Sequence, residues 1–169
     1  RTIVNTNTLA ISDGSGIASN YTLTNGTLTM TIVPRSTTVS GTKTYDGTTN
    51  VSSSNLTSFS NLAGSDTLSL SGTGTISSAD VGTGKTVNTS GLTIDNSSGV
   101  GTNYTLSSAT VNVTERVIGL SGVRAFDGTN SASSADLSIS NLVSGENLTL
   151  SGSGTVPNAT VEMNKAITL

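Results

Sequence analysis

The chain has 169 residues and a net charge of −3, contains no cysteine, histidine or tryptophan, and is only 3% aromatic. These features exclude disulfide bonds, thiolate or imidazole metal sites and the histidine- or cysteine-based catalysis that is commonest in enzymes. The seven scattered Lys and Arg residues form no basic patch, which argues against nucleic acid or anionic membranes as partners of this segment. We also expect no signal peptide and no membrane span within the segment.

Composition favours an all-β fold. Serine and threonine make up about a third of the chain, glycine contributes 19 residues, and good helix formers are scarce. β-Branched residues suit strands, whereas Gly, Asn, Asp and Ser suit turns. A disordered chain would carry a higher net charge and fewer β-branched residues. The ten acidic residues stand mostly beside Gly, Ser or Asn, as turn residues do, so we expect neither an enzyme nor a cofactor.

The sequence repeats itself at a spacing of about 80 residues. Repetition at a fixed spacing indicates an array of small structural units. We therefore predict the C-terminal half of one unit in residues 1–34, a complete unit in residues 35–115, and the N-terminal part of a more divergent unit in residues 116–169. The matching segments are NLAGSDTL (61–68) with NLVSGENL (141–148), SLSGTGTI (69–76) with TLSGSGTV (149–156), and SNYTL (19–23) with TNYTL (102–106).

The first strand of the complete unit is predicted from the alternation of its side chains. Val39, Gly41, Lys43 and Tyr45 share one face, and the next unit repeats that face 81 residues later. The repeated face consists of Leu120, Gly122, Arg124 and Phe126, and shorter strands are predicted around residues 68–70 and 92–94.

The last strand of the complete unit changes face along its length. Tyr104 and Leu106 stand at even positions, whereas Val111 and Val113 stand at odd positions. A strand with a period of two changes face only where it gains a residue, so we predict a bulge between these pairs. The first unit shows the same change of phase near Asn25. No Gly/Ser-rich spacer separates the units, which predicts a stiff rod.

A corner follows the first strand of each unit. The segments KTYDGTTNV (43–51) and RAFDGTNSA (124–132) share an aromatic residue, an aspartate and a glycine. Aspartate accepts a hydrogen bond from the backbone two residues on, and glycine adopts a positive φ without strain, so Asp-Gly predicts a tight turn. We expect the aromatic residue to fill the core, because large side chains are so few. The residues are Tyr45, Asp46 and Gly47 in one unit and Phe126, Asp127 and Gly128 in the next.

Three chemical alternatives stand beside this structural interpretation. Asp46 and Asp127 would be calcium ligands at junctions between units, although no second acidic residue lies close to either in sequence. Lys85 and Lys165 occupy equivalent positions and are either solvated strand lysines or partners in Lys–Asn isopeptide bonds. Asn-x-Ser/Thr occurs throughout the chain and offers acceptors for glycosylation.

Five segments together resemble the YDG repeat: TYDGTTNV (44–51), LSGTGTI (70–76), VGTGKTV (81–87), SGLTI (90–94) and NYTL (103–106). That repeat occurs in large secreted adhesins of Gram-negative bacteria, the filamentous-haemagglutinin-like proteins exported by two-partner secretion. The resemblance implies tandem immunoglobulin-like β-sandwich repeats of about 80 residues and no catalytic residues. The alternative architecture is a β-solenoid, which needs a shorter, rung-sized repeat that the sequence does not show consistently. The motif residues are Tyr45, Asp46, Gly47, Phe126, Asp127, Gly128, Tyr21 and Tyr104.

The leading functional hypothesis is a structural stalk. Stacked units would hold a distal binding domain of an extracellular or cell-surface adhesin or filament away from the cell, in adhesion or biofilm formation. The partners would be neighbouring repeats of the same polypeptide, or other copies of the chain. One alternative is a filament subunit in which the part-units of different copies complete each other by strand exchange. Another is a glycan-binding module, which would need exposed aromatic residues.

Overall fold

The computed structural model describes residues 2–3, 10–22 and 28–168. In these residues the secondary structure consists of β-strands and four single-turn 3₁₀ helices. No helix among the described residues is long and apolar enough to cross a membrane. The strands are β1 (Thr2–Ile3), β2 (Leu28–Thr29), β3 (Arg35–Thr44), β4 (Asn50–Ser52), β5 (Leu56–Ser60), β6 (Leu68–Thr75), β7 (Gly82–Val87), β8 (Leu92–Asn96), β9 (Tyr104–Thr114), β10 (Gly119–Gly122), β11 (Ser131–Ser133), β12 (Leu137–Ser140) and β13 (Ser153–Thr155). The 3₁₀ helices are Ala18–Asn20, Ser53–Asn55, Gly101–Asn103 and Ser134–Asp136.

Strands β3 to β9 form two sheets. The larger sheet has the strand order β5-β3-β9-β7, and the smaller has the order β4-β6-β8. The central pair, β3 with β9, is parallel over ten residue pairs, whereas the other pairs in both sheets are antiparallel. Two strands separated by some sixty residues of sequence therefore form the middle of the larger sheet.

The core lies between these two sheets. The larger sheet supplies most of its buried residues, and the smaller sheet packs Val51, Leu70 and Leu92 against them. A fully buried Val or Leu contributes roughly 1.5–3 kcal/mol relative to an exposed one, so a core this small depends on each of its members. The buried cluster consists of Val39, Val51, Leu56, Ile76, Val87, Ala109, Val111 and Val113.

The predicted inward face of β3 is confirmed. Val39 and Lys43 are buried, Tyr45 packs against the core from its edge, and the even-numbered neighbours face outward. Gly41 stands on the same face because the backbone of the Ser53–Asn55 helix crosses there. A Cβ at Gly41 would lie 1.6 Å from the carbonyl oxygen of Asn55. The counterpart of Gly41 is Gly122, where an added Cβ would lie 1.9 Å from the carbonyl oxygen of Asp136.

The predicted bulge in the last strand is also confirmed. Along the parallel ladder Thr37 lies opposite Leu106, but Thr38 lies opposite Ser108, so Ser107 is the inserted residue. The Ser107 hydroxyl donates to the carbonyl oxygen of Thr37 at 2.9 Å and so ties the bulge to β3. The inserted residue brings both Tyr104 and the later valines of β9 to the buried face. The equivalent change of phase near Asn25 lies outside the described residues.

The strand registers of the complete unit recur in residues 116–168. Sheet β10-β12 repeats the pairing of β3 with β5, and sheet β11-β13 repeats the pairing of β4 with β6. A serine hydroxyl caps the 3₁₀ helix after β4 and again after β11. Divergence in sequence has therefore left these pairings in place, except that the irregularity between Ser40 and Gly41 in the β3–β5 ladder is absent from the β10–β12 ladder. Equivalent pairs are Val39–Phe59 with Leu120–Ile139 and Asn50–Thr75 with Ser131–Thr155.

The described residues form an all-β structure with several separate sheets, none of which is closed. The alternative of a β-solenoid does not fit, because the parallel ladder joins Arg35 to Tyr104 rather than successive rungs of a short repeat. The predicted unit boundaries remain predictions.

The close approach at Gly41 can be tested by adding one methyl group. Gly41→Ala is expected to lower the free energy of unfolding by about 1–3 kcal/mol, because backbone atoms must move to admit the Cβ. Gly14→Ala is the matched control, since a Cβ at Gly14 meets nothing within 4 Å. Urea unfolding followed by circular dichroism measures both. Equal stability of the two variants would contradict the close approach.

Candidate functional site

A buried lysine holds together the corner after β3, whose motif is repeated in the next unit. Asp46 accepts hydrogen bonds from the backbone N–H and the hydroxyl of Thr48, both at 2.9 Å, and Gly47 has a φ of +74°. The side chain of Lys43 extends into the turn, and only 4% of this residue is exposed. Its Nζ donates to the carbonyl oxygens of Thr48 at 2.9 Å and Asn50 at 2.6 Å, and lies 2.8 Å from Asp46 Oδ1.

This arrangement changes the titration of the aspartate. Desolvation, the largest contribution, raises the pKa of Asp46, but hydrogen bonds from Lys43 and Thr48 together with the charge of Lys43 outweigh it. The pKa of Asp46 is therefore lowered from its ordinary value, and the carboxylate is held in its charged form.

The next unit repeats the corner with arginine in place of lysine. Thr129 donates to Asp127 Oδ1 from its backbone N–H at 2.9 Å and its hydroxyl at 3.0 Å, and Gly128 has a φ of +79°. The Arg124 guanidinium donates to Asp127 and to the carbonyl oxygen of Thr129. The backbone hydrogen bond from Thr129 is the largest cause of the lowered pKa of Asp127, and Arg124 adds to it. The Asp-Gly motif is therefore a cation-anchored turn in both units.

The two equivalent lysines anchor turns of the same kind. Lys85 Nζ donates to the carbonyl oxygen of Ser78 at 3.1 Å, and Lys165 Nζ donates to the carbonyl oxygen of Asn158 at 2.9 Å. Lys165 also donates to the side-chain oxygen of Asn158 at 2.6 Å. At the position where Lys165 contacts Asn158, Lys85 contacts Ser78. A Lys–Asn isopeptide bond requires an asparagine amide, and Lys85 has none at this position.

The corner of the complete unit contacts the following unit. The Tyr45 hydroxyl donates to Glu146, and a Cβ at Gly47 would lie 2.8 Å from a methyl group of Val143. The Tyr45 backbone N–H donates to the carbonyl oxygen of Thr114 at 2.8 Å, which ties the corner to the end of β9. A cavity of about 500 Å³ lies in this junction. Its apolar lining includes Val81, Ile118, Leu142 and Leu148.

The same acidic position is used within the complete unit. Asp66 stands 80 residues before Glu146 and accepts a hydrogen bond from the hydroxyl of Tyr104 at 2.5 Å. The hydroxyl of Tyr104 in turn accepts from the backbone N–H of Ala63 at 3.1 Å. Hydrogen bonding to the carboxylate is the largest cause of the raised pKa of both Tyr104 and Tyr45. One acidic position therefore receives a tyrosine from its own unit in one case and from the preceding unit in the other.

A second recurring contact was missed by the sequence reasoning. Arg35 donates to the carbonyl oxygen of Asn61 at 2.7 Å and to its side-chain oxygen at 2.8 Å. Arg116 makes the same contacts with Asn141 at 2.6 and 2.8 Å. Both asparagines have a positive φ, 60° and 65°, which asparagine tolerates better than most residues. The signal was an arginine at the start of each unit together with the repeated Asn-Leu.

The expectation that both corner aromatics fill a core is wrong for Phe126. Tyr45 packs against the core and the next unit, but Phe126 is 68% exposed. The physical reason is that, among the described residues, β10 pairs only with β12, and the contacts of Tyr45 with Thr114 and Glu146 have no equivalent at Phe126. Tyr21 is likewise 68% exposed, whereas its counterpart Tyr104 is only 7% exposed.

Metal binding finds no support in the described residues, which contain no group of three or more His, Cys, Asp or Glu residues that could hold an ion. In both corners the aspartate forms an ion pair with a cationic side chain, Lys43 or Arg124. The cation takes the place beside the carboxylate that a calcium ion would need.

The fold and these junctions define an all-β protein built from a repeated sequence unit. The sequence profile of the YDG domain matches residues 27–111, about half of the chain. The chain therefore belongs to the YDG domain family, as the motifs predicted. No curated protein and no solved structure matches it.

The anchoring role of Lys43 predicts a large loss on truncation. Lys43→Met is expected to lower the free energy of unfolding by about 2–3 kcal/mol, because the carbonyl oxygens of Thr48 and Asn50 lose their donor. Lys43→Arg should lose less, since Arg124 makes the equivalent contacts. Urea unfolding measures both variants, and equal losses would contradict the anchoring role.

The lowered pKa of Asp46 predicts a loss of stability in acid. A carboxyl whose pKa is lower in the folded state stabilises the fold above its unfolded pKa, about 3.9, and this stabilisation disappears as the pH falls through the folded pKa. Asp46→Asn keeps the acceptor for Thr48 but removes the titration. Its unfolding free energy should fall less steeply than that of the parent between about pH 4 and 2. Identical slopes would contradict this assignment.

Proposed function

We propose that this chain is a structural stalk segment of a large secreted bacterial surface adhesin or extracellular filament. Its units stack end to end and hold a distal binding domain away from the cell. The contact of the Tyr45–Gly47 corner with Val143 and Glu146 is the observation that carries this proposal, because it joins consecutive units through more than their connecting peptide. We extend the same proposal to the architecture, as tandem immunoglobulin-like sandwiches.

Three features support a stiff spacer. β9 ends at Thr114 and β10 begins at Gly119, so the connection is too short for independent motion of the units. The Tyr45 hydroxyl bridges the units to Glu146, and the Arg116–Asn141 contact fixes the first residues of the following unit. Apolar residues line the remaining space of the junction.

Membership of the YDG domain family and the resemblance to repeats of secreted adhesins support an extracellular location. Exposed strand faces rich in Ser and Thr keep such an array soluble without a high net charge. The repeated polar corners also favour solubility, since the aspartate of each corner accepts hydrogen bonds from the turn that follows it.

Rigidity of the junction can be measured with two spin labels. Ser58 and Ser138 are exposed counterparts on β5 and β12, and the chain has no cysteine to interfere with labelling. Double electron–electron resonance on Ser58→Cys/Ser138→Cys is expected to give one narrow distance distribution. Glu146→Ala should broaden it, whereas Glu162→Ala, which removes an acid elsewhere in the same unit, should not. A broad distribution in the parent would exclude a stiff spacer.

The extracellular location is tested on producing cells. Antibodies raised against the chain are expected to label intact cells, and added protease should remove the label. Labelling that appears only after permeabilisation would contradict the proposed location. Replacing residues 35–115 by a flexible Gly/Ser linker of equal length should reduce adhesion if the stiffness of the spacer matters.

A further inference from the structure

The chain enters and leaves the complete unit through one hydrogen-bonded ladder. The preceding residues lead into β3 at Arg35, and the following residues continue from β9 at Thr114. These two strands are neighbours and run parallel, with Arg35 opposite Tyr104 and Thr44 opposite Thr114. Tension along the chain therefore pulls the start of β3 and the end of β9 in opposite directions, along the axes of both strands.

That geometry loads the ladder in shear. The hydrogen bonds of a parallel pair are evenly spaced along the strands. Two strands that slide past each other must break these bonds together, whereas two strands that are peeled apart from one end break them one after another. Sliding by one residue would also turn the buried side chains of a strand to the outer face. The hydrogen bonds and the core therefore resist sliding at the same time.

The buried side chains of the ladder stand on its longer part. Ser107 divides the ten residue pairs into three before the bulge and seven after it, from Thr38 onwards. The seven-pair part contains Val39 of β3 together with three buried residues of β9, and all four are at most 2% exposed. This part combines the larger number of backbone pairs with the closest packing, so we expect it to fail last. The three residues of β9 are Ala109, Val111 and Val113.

Further hydrogen bonds hold the ladder at both points where tension enters. At the start of β3, Arg35 donates to the backbone and side-chain oxygens of Asn61 at 2.7 and 2.8 Å, and Asn61 donates to the carbonyl oxygen of Ser36 at 2.6 Å. At the end of β9, the carbonyl oxygen of Thr114 accepts from the backbone N–H of Tyr45 at 2.8 Å. The load on a sheared ladder is greatest at its ends, so these contacts lie where separation must begin.

We infer that the complete unit is a force-bearing module, in which the parallel β3–β9 ladder is a mechanical clamp against tension along the chain. The strength of the clamp follows from the geometry within the unit and does not depend on the stalk proposal. That tension reaches the unit in the cell does rest on that proposal, since a stalk is stretched whenever its distal domain is held and the cell is pulled away. A spacer with this clamp keeps its length under load.

The clamp can be tested by pulling the full chain in two directions by single-molecule force spectroscopy. Two cysteines replace exposed residues in a chain that has none of its own, and each carries a handle. Val33→Cys with Glu115→Cys loads the ladder in shear, because these residues adjoin the start of β3 and the end of β9. Val33→Cys with Thr102→Cys is the control, because both residues precede the first pair and the ladder peels from one end. Shear is expected to need a several-fold higher unfolding force.

The length released on unfolding identifies what has opened. About 80 residues lie between Val33 and Glu115. Since an extended chain spans up to about 3.6 Å per residue and the folded ladder about 33 Å, unfolding of the whole unit should release about 250 Å. Release of this length in one step is the expected result for the clamp. Release in several smaller steps at low force would contradict it.

A pair of equivalent substitutions tests the contact at the loaded end of β3. Arg35→Ala removes the hydrogen bonds to Asn61 and should lower the unfolding force in shear. Arg116→Ala removes the same hydrogen bonds to Asn141, beyond the attachment point at Glu115, and should leave that force unchanged. Circular dichroism spectra matching the parent's establish that both variants are folded.

Equal unfolding forces in the two pulling directions would overturn the inference. So would an equal loss of force in Arg35→Ala and Arg116→Ala. Neither result affects the stalk proposal, because the pulled segment ends before the junction whose stiffness the distance between Ser58 and Ser138 reports. A broad distribution of that distance, combined with a high unfolding force in shear, would exclude the stiff spacer and support the clamp.

Discussion

The parallel pairing of β3 with β9 is the constraint on which the rest of the structure depends. These are the first and last strands of the complete unit, and they run in the same direction over ten residue pairs. A chain that enters along one strand and leaves along its parallel neighbour exits at the opposite end. The following unit must then begin where the Tyr45 corner lies. An antiparallel arrangement of the same two strands would return the chain to its starting end and prevent linear stacking.

The thin core explains why polar groups stabilise the ends of the strands. None of the eight buried residues is larger than leucine or isoleucine, and Tyr45 packs against them from the corner after β3. Lys43 lies in the same corner, with its stem beside the core and its amine bonded to the carbonyl oxygens of the turn. The cation therefore supplies donors to the carbonyl oxygens of the turn beside the ring of Tyr45. Arg124 does the same in the next unit, where the aromatic ring of the motif is exposed.

Local chemistry was predictable from the sequence, and contacts between units were not. The Asp-Gly turns, the inward face of β3 and the bulge follow from residue type and alternation, which act over a few neighbouring positions. The parallel ladder joins residues about seventy positions apart, and no local pattern specifies which strand becomes the neighbour of β3. The partner of Tyr45 lies 101 residues away, beyond the reach of spacing arguments. Phe126 was misjudged because burial of a corner aromatic depends on the unit that follows it.

The repeated acidic position couples completion of a unit to its attachment. Asp66 accepts from Tyr104 of its own last strand, and Glu146 accepts from Tyr45 of the preceding corner. A carboxylate has two oxygens, so in a continuous array one acid can receive both hydroxyls. In such an array the last strand of the following unit would bring a tyrosine of the Tyr104 type to Glu146. That tyrosine would then fix the same acid that contacts the preceding unit, and a completed unit would hold its neighbour more firmly than an incomplete one.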